Sequence, residues 1–402
     1  VTAAIVFVFT YVALSIGRVP GLRSDRLAAS VIGAVALVAF RVLSFREAQA
    51  AVDGATLALL FGMMLLAAAL DISGTFAFVG FWMTKRANKP ITLLVAIAVA
   101  SAVLSAFLIN DVVCIAFTPL VLQITDTLKK DAKPYLLALA TSSNIGSVAT
   151  ITGNPQNILI ASLSHISYAR FAAALAPVAC VSLILNIAVI AFVYRAELAS
   201  PFAPHHDAKP PRIFAPWAVK SSVVTIGVLV AFVAGVLPPI AALVGGAIML
   251  FSRAVNPKRL YVRVDWTLLA LFVGLFVVIA GFEKAGLAES FLHLLVPIHP
   301  ESVWGLTVIA AILSNVASNV PAVMVLKSMI PHLPNVTSSW LTLAMASTLA
   351  GNLTLPGSLA SIIVVERAKG HANVTFTDFL RVGAPSALLS LGVGAIWLSF
   401  LR

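Results

Sequence analysis

Charge is what this chain has least of. Only 10% of its 402 residues are Asp, Glu, Lys or Arg, against the ~25% usual in a soluble domain, which excludes an ordinary soluble enzyme. Cysteine is nearly absent too: Cys114 and Cys180 are the two, both inside apolar runs, with neither a disulfide framework nor a zinc spacing. The seven histidines are scattered apart from His205–His206, so no metal cluster or haem pair is expected; that pair sits in a polar stretch and reads as a solvated loop. No Gly-x-x-x-x-Gly-Lys-Ser/Thr phosphate loop occurs, so ATP coupling would need a separate ATPase subunit. No nucleophile with a base is apparent, and an enzyme is not expected. The ten-residue apolar–polar alternation of a membrane barrel is missing as well. The apolar start at Val1 has no charged n-region or cleavage site, so no signal peptide is read there and a trimmed natural terminus is expected.

What is present is hydrocarbon. The chain is 60% hydrophobic with a mean hydropathy of +1.04. Runs such as 91–109, 221–237 and 267–281 approach the ~20 apolar residues that cross a bilayer core. The net charge of +11 then reads as basic loops held on the cytoplasmic side rather than as a nucleic-acid surface. The fold class expected is an all-α polytopic membrane protein.

The polar, proline-rich stretch 199–216 divides the chain into 1–198 and 217–402, and the halves repeat. Asp53–Gly62 aligns with Asp265–Gly274 at an offset of 212, a spacing that Gly74 and Gly286 keep. Leu104 to Asn110 aligns with Leu313 to Asn319 at 209, and Ser143, Thr150, Gly153 and Ile158 with Ser347, Thr354, Gly357 and Ile362 at 204. Segments 91–125 and 301–332 are too long for one crossing and short for two. Each has a polar centre, Asn110–Asp111 and Ser318–Asn319, and reads as a re-entrant hairpin, with backbone at that depth tolerated where it lines a cavity. Segments 134–164 and 341–366 each read as one broken helix, interrupted at Gly153-Asn154-Pro155 and Pro356-Gly357-Ser358. Two inverted repeats of five crossings follow, each with one hairpin and one broken helix. With Val1 outside, the inner loops carry 20 of the 26 Lys and Arg residues. That places linker 199–216 in the cytoplasm and both termini on the outer side, in a bacterial inner membrane.

Such repeats place a binding site at the midplane, where half-helix ends point inward. Substrate-binding candidates are Asn110, Thr150, Asn154 and Asn157 from the first half and Ser318, Asn319, Asn352, Thr354 and Ser358 from the second. Asp111 and Asn144 are candidates for proton or cation coupling, and Gly153, Pro155, Pro356 and Gly357 for breaking the helices. Amides and hydroxyls of this kind suit a small polar solute. Asp111 stands apart, because a carboxylate at the bilayer centre costs on the order of 2.5–3.5 kcal/mol and needs water, a cation, a partner or a proton. Its other reading, compatible with the first, is a cap on the helix it opens. Asp53 and Asp265 read as helix caps, and Asp71 and Glu283 as interfacial charges. Cys114 reads as packing, with a soft-ligand role as the alternative. Gly62, Gly74, Gly274 and Gly286 read as close helix contacts. No cofactor or resident metal is expected; the transported or coupling ion is H+ or Na+.

At these residues the chain resembles the ion transporter superfamily of arsenite permeases, divalent anion–sodium symporters and sodium–proton antiporters. The carriers are Leu108-Ile-Asn-Asp-Val112, Phe117-Thr-Pro119, Asn144 through Asn157, Ala317-Ser-Asn-Val-Pro-Ala322 and Ala350 through Ala360. The resemblance implies a transport unit of hairpins and broken helices sliding against a scaffold. The Asn110–Asp111 tip and the late Asn-Leu-Thr-x-x-Gly-Ser-Leu-Ala run look most like the arsenite-permease branch. An ionised Asp111 would also repel a dianion by roughly 4 kcal/mol per charge pair at about 4 Å and an effective dielectric near 20. The resulting expectation is proton-coupled efflux of arsenite or antimonite. A sodium- or proton-coupled carrier of a small anion and a sodium–proton antiporter stand as alternatives. A homodimer is left open.

Overall fold

The computed structural model describes residues 2–17, 25–200, 202 and 213–401. Most of the linker expected at 199–216, including His205–His206, lies outside the described residues.

The described chain is helical throughout. The first half contains α1 (Thr2–Ile16), α2 (Arg26–Ala39), α3 (Phe45–Ala50), α4 (Gly54–Ile72), α5 (Thr75–Arg86), α6 (Pro90–Phe107), α7 (Asn110–Thr127), α8 (Lys133–Ser147), α9 (Pro155–Ser164), α10 (Tyr168–Val193) and α11 (Arg195–Ala199). The second contains α12 (Ala215–Val233), α13 (Pro238–Leu250), α14 (Pro257–Tyr261), α15 (Trp266–Lys284), α16 (Leu287–Leu295), α17 (Val303–Ala317), α18 (Asn319–Leu326), α19 (Val336–Ala350), α20 (Leu359–Ala368) and α21 (Phe376–Phe400). Six of them, α4, α6, α10, α12, α15 and α21, are long and apolar enough to cross a membrane. The segment 287–298 and α17 form a further pair bent by 119°. The chain is therefore an all-α, multi-pass membrane protein.

Local chemistry sets the element boundaries. The Asp53 carboxylate accepts from Ala55 N and Thr56 N at the start of α4, and Asp265 accepts from Leu268 N at the start of α15, so both act as the caps expected. Both expected breaks are present. α8 stops at Ser147 and a short 3-10 turn, Ile151–Gly153, leads into α9 at Pro155. α19 stops at Ala350 and the turn Leu355–Gly357 leads into α20. A proline removes a donor and suits the first helical position, which is where Pro155 sits.

Two glycine readings change. Gly62 and Gly274 do sit at tight crossings, where a Cβ would come within 2.5 Å of the Ala242 carbonyl carbon and 2.7 Å of Ser30 Oγ. Gly74 and Gly286 do something else. They hold φ of 81° and 69° and turn the chain into α5 and α16, two helices that the apolar runs alone did not reveal as elements. Left-handed backbone of that kind favours glycine.

α6 packs on α8 and α17 on α19; α4 lies against α13 and α15 against α2. The first pair meets backbone to backbone, since a Cβ on Gly146 would lie 2.4 Å from Ala102 Cα. Overpacking of this sort costs about 1–3 kcal/mol. Gly146→Ala is therefore expected to lower Tm and cut the yield of monodisperse protein, read by thermal-shift size-exclusion chromatography; an unchanged melting curve would contradict this packing.

On the face opposite the basic loops, Lys284 Nζ lies 2.6 Å from Glu47 Oε1. That hydrogen bond, with others from Ser44, pulls the Glu47 carboxyl down from 4.5 to about 2. A depressed carboxyl stabilises above its unfolded-state value and loses that contribution as pH falls through its folded value. The Tm difference between the parent and Glu47→Gln should thus be full above about pH 4.5 and close toward about pH 2. A gap that stays constant over that range would remove the pair from the stability of this face.

Candidate functional site

The turn between α6 and α7 (the first tip), the turn between α17 and α18 (the second tip) and both broken helices meet at one cavity of about 650 Å³. Its inner end is lined by Asn110 and Asp111 of α7, Pro155 and Gln156 of α9, Ser318 and Asn319 at the second tip, and Pro356, Ser358 and Leu359 leading into α20. Its other end reaches Gly17, Asp25, Arg26 and Asp265, the level at which α1 ends and α2 and α15 begin.

The tips are held by side-chain amides. Asn110 Nδ2 donates to Asn144 Oδ1 at 2.9 Å, and Ser358 Oγ donates to the same oxygen at 2.9 Å. Asn144 Nδ2 donates in turn to Asn352 Oδ1 at 2.8 Å, and Asn352 Nδ2 to the Thr141 carbonyl at 3.0 Å. One amide, Asn144, thereby joins the first tip to both sides of the second break. At the other tip Ser318 has φ 76°. The Asn319 amide fits its surroundings with its nitrogen toward the Gly357 carbonyl (3.0 Å) and its oxygen accepting from Gln156 Nε2 (3.2 Å).

The structure divides the expected residues into two groups. Asn110, Asp111, Ser318, Asn319 and Ser358 line the cavity, as do Pro155 and Pro356. The others are spent on the wall behind it. Asn154 caps α9 by accepting from Asn157 N at 2.8 Å and donates to Ser147 Oγ at 2.9 Å. Asn157 Nδ2 donates to the carbonyls of Ser147 and Thr150, each at 3.0 Å. Thr150 Oγ1 donates to the Ala106 carbonyl, fastening the break to the end of α6. Thr354 Oγ1 donates to Asn315 Oδ1 at 2.9 Å. Gly153 and Gly357 permit close approach: a Cβ on Gly153 would fall 2.6 Å from Ser147 Cα, and one on Gly357 2.7 Å from Asn315 Oδ1. Cys114 is buried, 3.0 Å from Ser143 Oγ, and is not among the lining residues.

Asp111 is in the first turn of α7, whose N-cap Ile109 supplies no side-chain cap. No hydrogen bond to its carboxylate is present among the described residues, so the capping reading finds no partner there. Gln156, Arg26, Asp25 and Asp265 also reach the cavity, and the site residues picked from the sequence did not include them. For Gln156 a signal existed, because it lies inside the Gly-Asn-Pro-Gln-Asn break. For Arg26 none did, since nothing local ties a loop-edge arginine to a tip eighty residues away.

Comparison with known proteins places this geometry. Residues 9–399 match the profile of the family described as citrate transporter, CitMHS. The rice silicon efflux transporter LSI3 is 30% identical, covering 94% of this chain and 93% of its own. The *Escherichia coli* inner membrane protein YbiR is 30% identical over 79% of this chain and 81% of its own. The putative transporter arsB of *Dictyostelium discoideum* is 23% identical over 92% and 86%. The YdaH transporter of *Alcanivorax borkumensis* has a similar fold, with a TM-score of 0.55 at 13% identity over 100% of this chain and 98% of that one.

These matches correct the branch expected from the Asn110–Asp111 tip. The family profile spanning nearly the whole chain is the citrate type, and assignment to the arsenite permeases is withdrawn. The chain is a transporter and not an enzyme, a secondary-active carrier of a small solute within the ion transporter superfamily. It belongs to the citrate transporter family.

Proposed function

We propose that this protein carries a small, oxygen-rich anion of the di- or tricarboxylate or inorganic oxyanion kind, in step with protons or sodium. One observation carries the reading: the first turns of four helices, α7, α9, α18 and α20, all reach the same cavity. A helix N-terminus holds roughly half a positive charge and unpaired N–H groups, and such ends are ready anion sites. Arg26 adds a full positive charge at the other end of the cavity. Asn110, Ser318, Asn319, Ser358 and Gln156 are the proposed solute contacts, with Asp111 as the coupling group. A proton or sodium ion on Asp111 would cancel the repulsion that an ionised carboxylate exerts on an anion.

In this proposal residues 1–198 and 217–402 are inverted repeats of five crossings, with 199–216 as a cytoplasmic linker. Support comes from the paired caps Asp53 and Asp265, the paired left-handed glycines Gly74 and Gly286, and the matching α6–α8 and α17–α19 contacts. The cavity lining extends to Gly17, Asp25, Arg26 and Asp265, at the helix ends that carry the basic loops, and on the positive-inside bias that side is the cytoplasmic one of a bacterial inner-membrane carrier in this proposal.

The test is flux into proteoliposomes. Labelled citrate, succinate and sulfate are offered with and without an imposed proton or sodium gradient, and saturable uptake of at least one, stimulated by a gradient, is expected. A second reading has its own support: the rice relative's name concerns silicon efflux, and three carboxylates share the cavity with one guanidinium. Movement of silicic acid without any anion flux would favour that neutral solute and overturn the first reading.

A further inference from the structure

The back of the solute site leads to a second polar region. Asn186 of α10 is fully buried and donates to Thr141 Oγ1 at 2.9 Å and to Ser142 Oγ at 3.0 Å. Thr141 is the residue whose carbonyl receives Asn352, so Asn186 is tied to the amide array from behind α8. Its own oxygen, Asn186 Oδ1, is buried and meets no hydrogen-bond partner among the described residues. Three hydroxyls share that condition on the packed faces of α10 and α21: Ser182, Ser386 and Ser390.

The helix register puts the four on the same stretch of α10 and α21. Trp397 Nε1 of α21 donates to the Ala174 carbonyl of α10 at 2.8 Å. At the other end Lys133 lies 3.4 Å from Asp378 in the first turn of α21, and its neighbour Lys130 bonds Ser200, just past the C-terminal end of α10. The helices therefore run antiparallel, and positions that sum to about 571, as Ala174 and Trp397 do, lie near one another. Ser182 with Ser390 gives 572, and so does Asn186 with Ser386. The two pairs are neighbours, about one helical turn apart. Pro177 and Pro385 are separated by 208 residues, as are Ser182 and Ser390, so the serine pair sits where the two helices are related to each other.

A buried polar atom without a partner keeps its full desolvation penalty. Interiors relieve it with ordered water, typically making about three bonds to such groups. We propose that the seam between α10 and α21 encloses a water-binding site formed by Ser182, Asn186, Ser386 and Ser390, joined through Asn186 to the amides that hold the first tip and the second break. The groups offered are neutral hydroxyls and one amide oxygen, which suits water better than a bare cation. Water there gives the Asn186 oxygen a partner and holds the amide in the orientation that positions Thr141.

The test uses the full chain in nanodiscs. If water bridges the pair, Ser182→Ala and Ser390→Ala each lower Tm by about 1 °C or more, and the double variant falls short of the sum because both hydroxyls hold the same water. Ser390→Thr, which keeps the hydroxyl, retains more of the parent Tm than Ser390→Ala. If the seam is dry, removing an orphaned hydroxyl leaves Tm unchanged or raises it, and the proposal fails. A high-resolution cryo-EM map of the unaltered protein gives the second readout. Ordered density within hydrogen-bonding distance of Ser182 Oγ and Asn186 Oδ1 is expected, and an empty seam overturns the site even if a variant does not fold. Neither readout involves transport, so failure here leaves the carrier assignment standing.

Discussion

Asp111→Asn is expected to reduce gradient-driven flux by about tenfold or more, while leaving expression and the melting curve close to the parent. Asparagine keeps the size and one oxygen of the side chain but cannot take up a proton or offer a full charge to a cation. A tenfold loss corresponds to about 1.4 kcal/mol, within the roughly 2.5–3.5 kcal/mol that a mid-membrane carboxylate costs and a bound cation or proton would relieve. Structural dependence on the group is small, because no hydrogen bond fastens it among the described residues. The discriminating measurement sets driven uptake against solute exchange at equal pH and sodium on both sides. Loss of the first with survival of the second assigns coupling to Asp111. Parent-like driven uptake in the variant would remove it from that role.

Asn144→Leu is expected to have the largest effect on stability. The side chain receives Asn110 and Ser358 and donates to Asn352, all buried at 3%, 1% and 1% exposure. Leucine is close in volume but leaves three polar groups without partners, each costing about 1–3 kcal/mol. Part of that returns as the amides find water from the cavity, so a loss of roughly 2–4 kcal/mol is expected. Thermal unfolding measures it. A leucine variant as stable as the parent would show that the first tip and second break are not held through this residue. The effect should reach transport as well, since the same amide positions Asn110 and Ser358 at the cavity.

Much of the fold was legible locally. Aspartates before apolar runs marked the starts of α4 and α15, and glycine and proline marked both breaks, because each acts on backbone within a few residues of itself. The turns at 108–109 and Ser318 were legible for a similar reason, as polar pairs interrupting long apolar runs, whereas α6 by itself is long and apolar enough to cross the membrane. Helices α5 and α16 were not read as elements. They follow turns at Gly74 and Gly286, and a turn changes direction without changing the apolar composition around it.

The division of the amides was not legible. Asn154 and Asn157 looked like solute contacts as much as Asn110 did, yet they cap and brace the break. Around a non-helical break no period relates sequence position to side-chain direction, so which amides face the cavity depends on how the segment is packed. The choice of branch went astray on similar ground. The charge at the cavity is a sum over distant elements: four helix ends and Arg26 face the same space as Asp111, Asp25 and Asp265.

The sequence by itself determined an all-α, multi-pass membrane chain with basic loops and two broken helices, since hydropathy, charge bias and helix breaking are sums of local terms. Only the tertiary structure decided which polar groups line the cavity and which hold the wall behind it. Those are contacts between residues as many as two hundred positions apart, and the packing that creates them leaves no periodic trace in the chain.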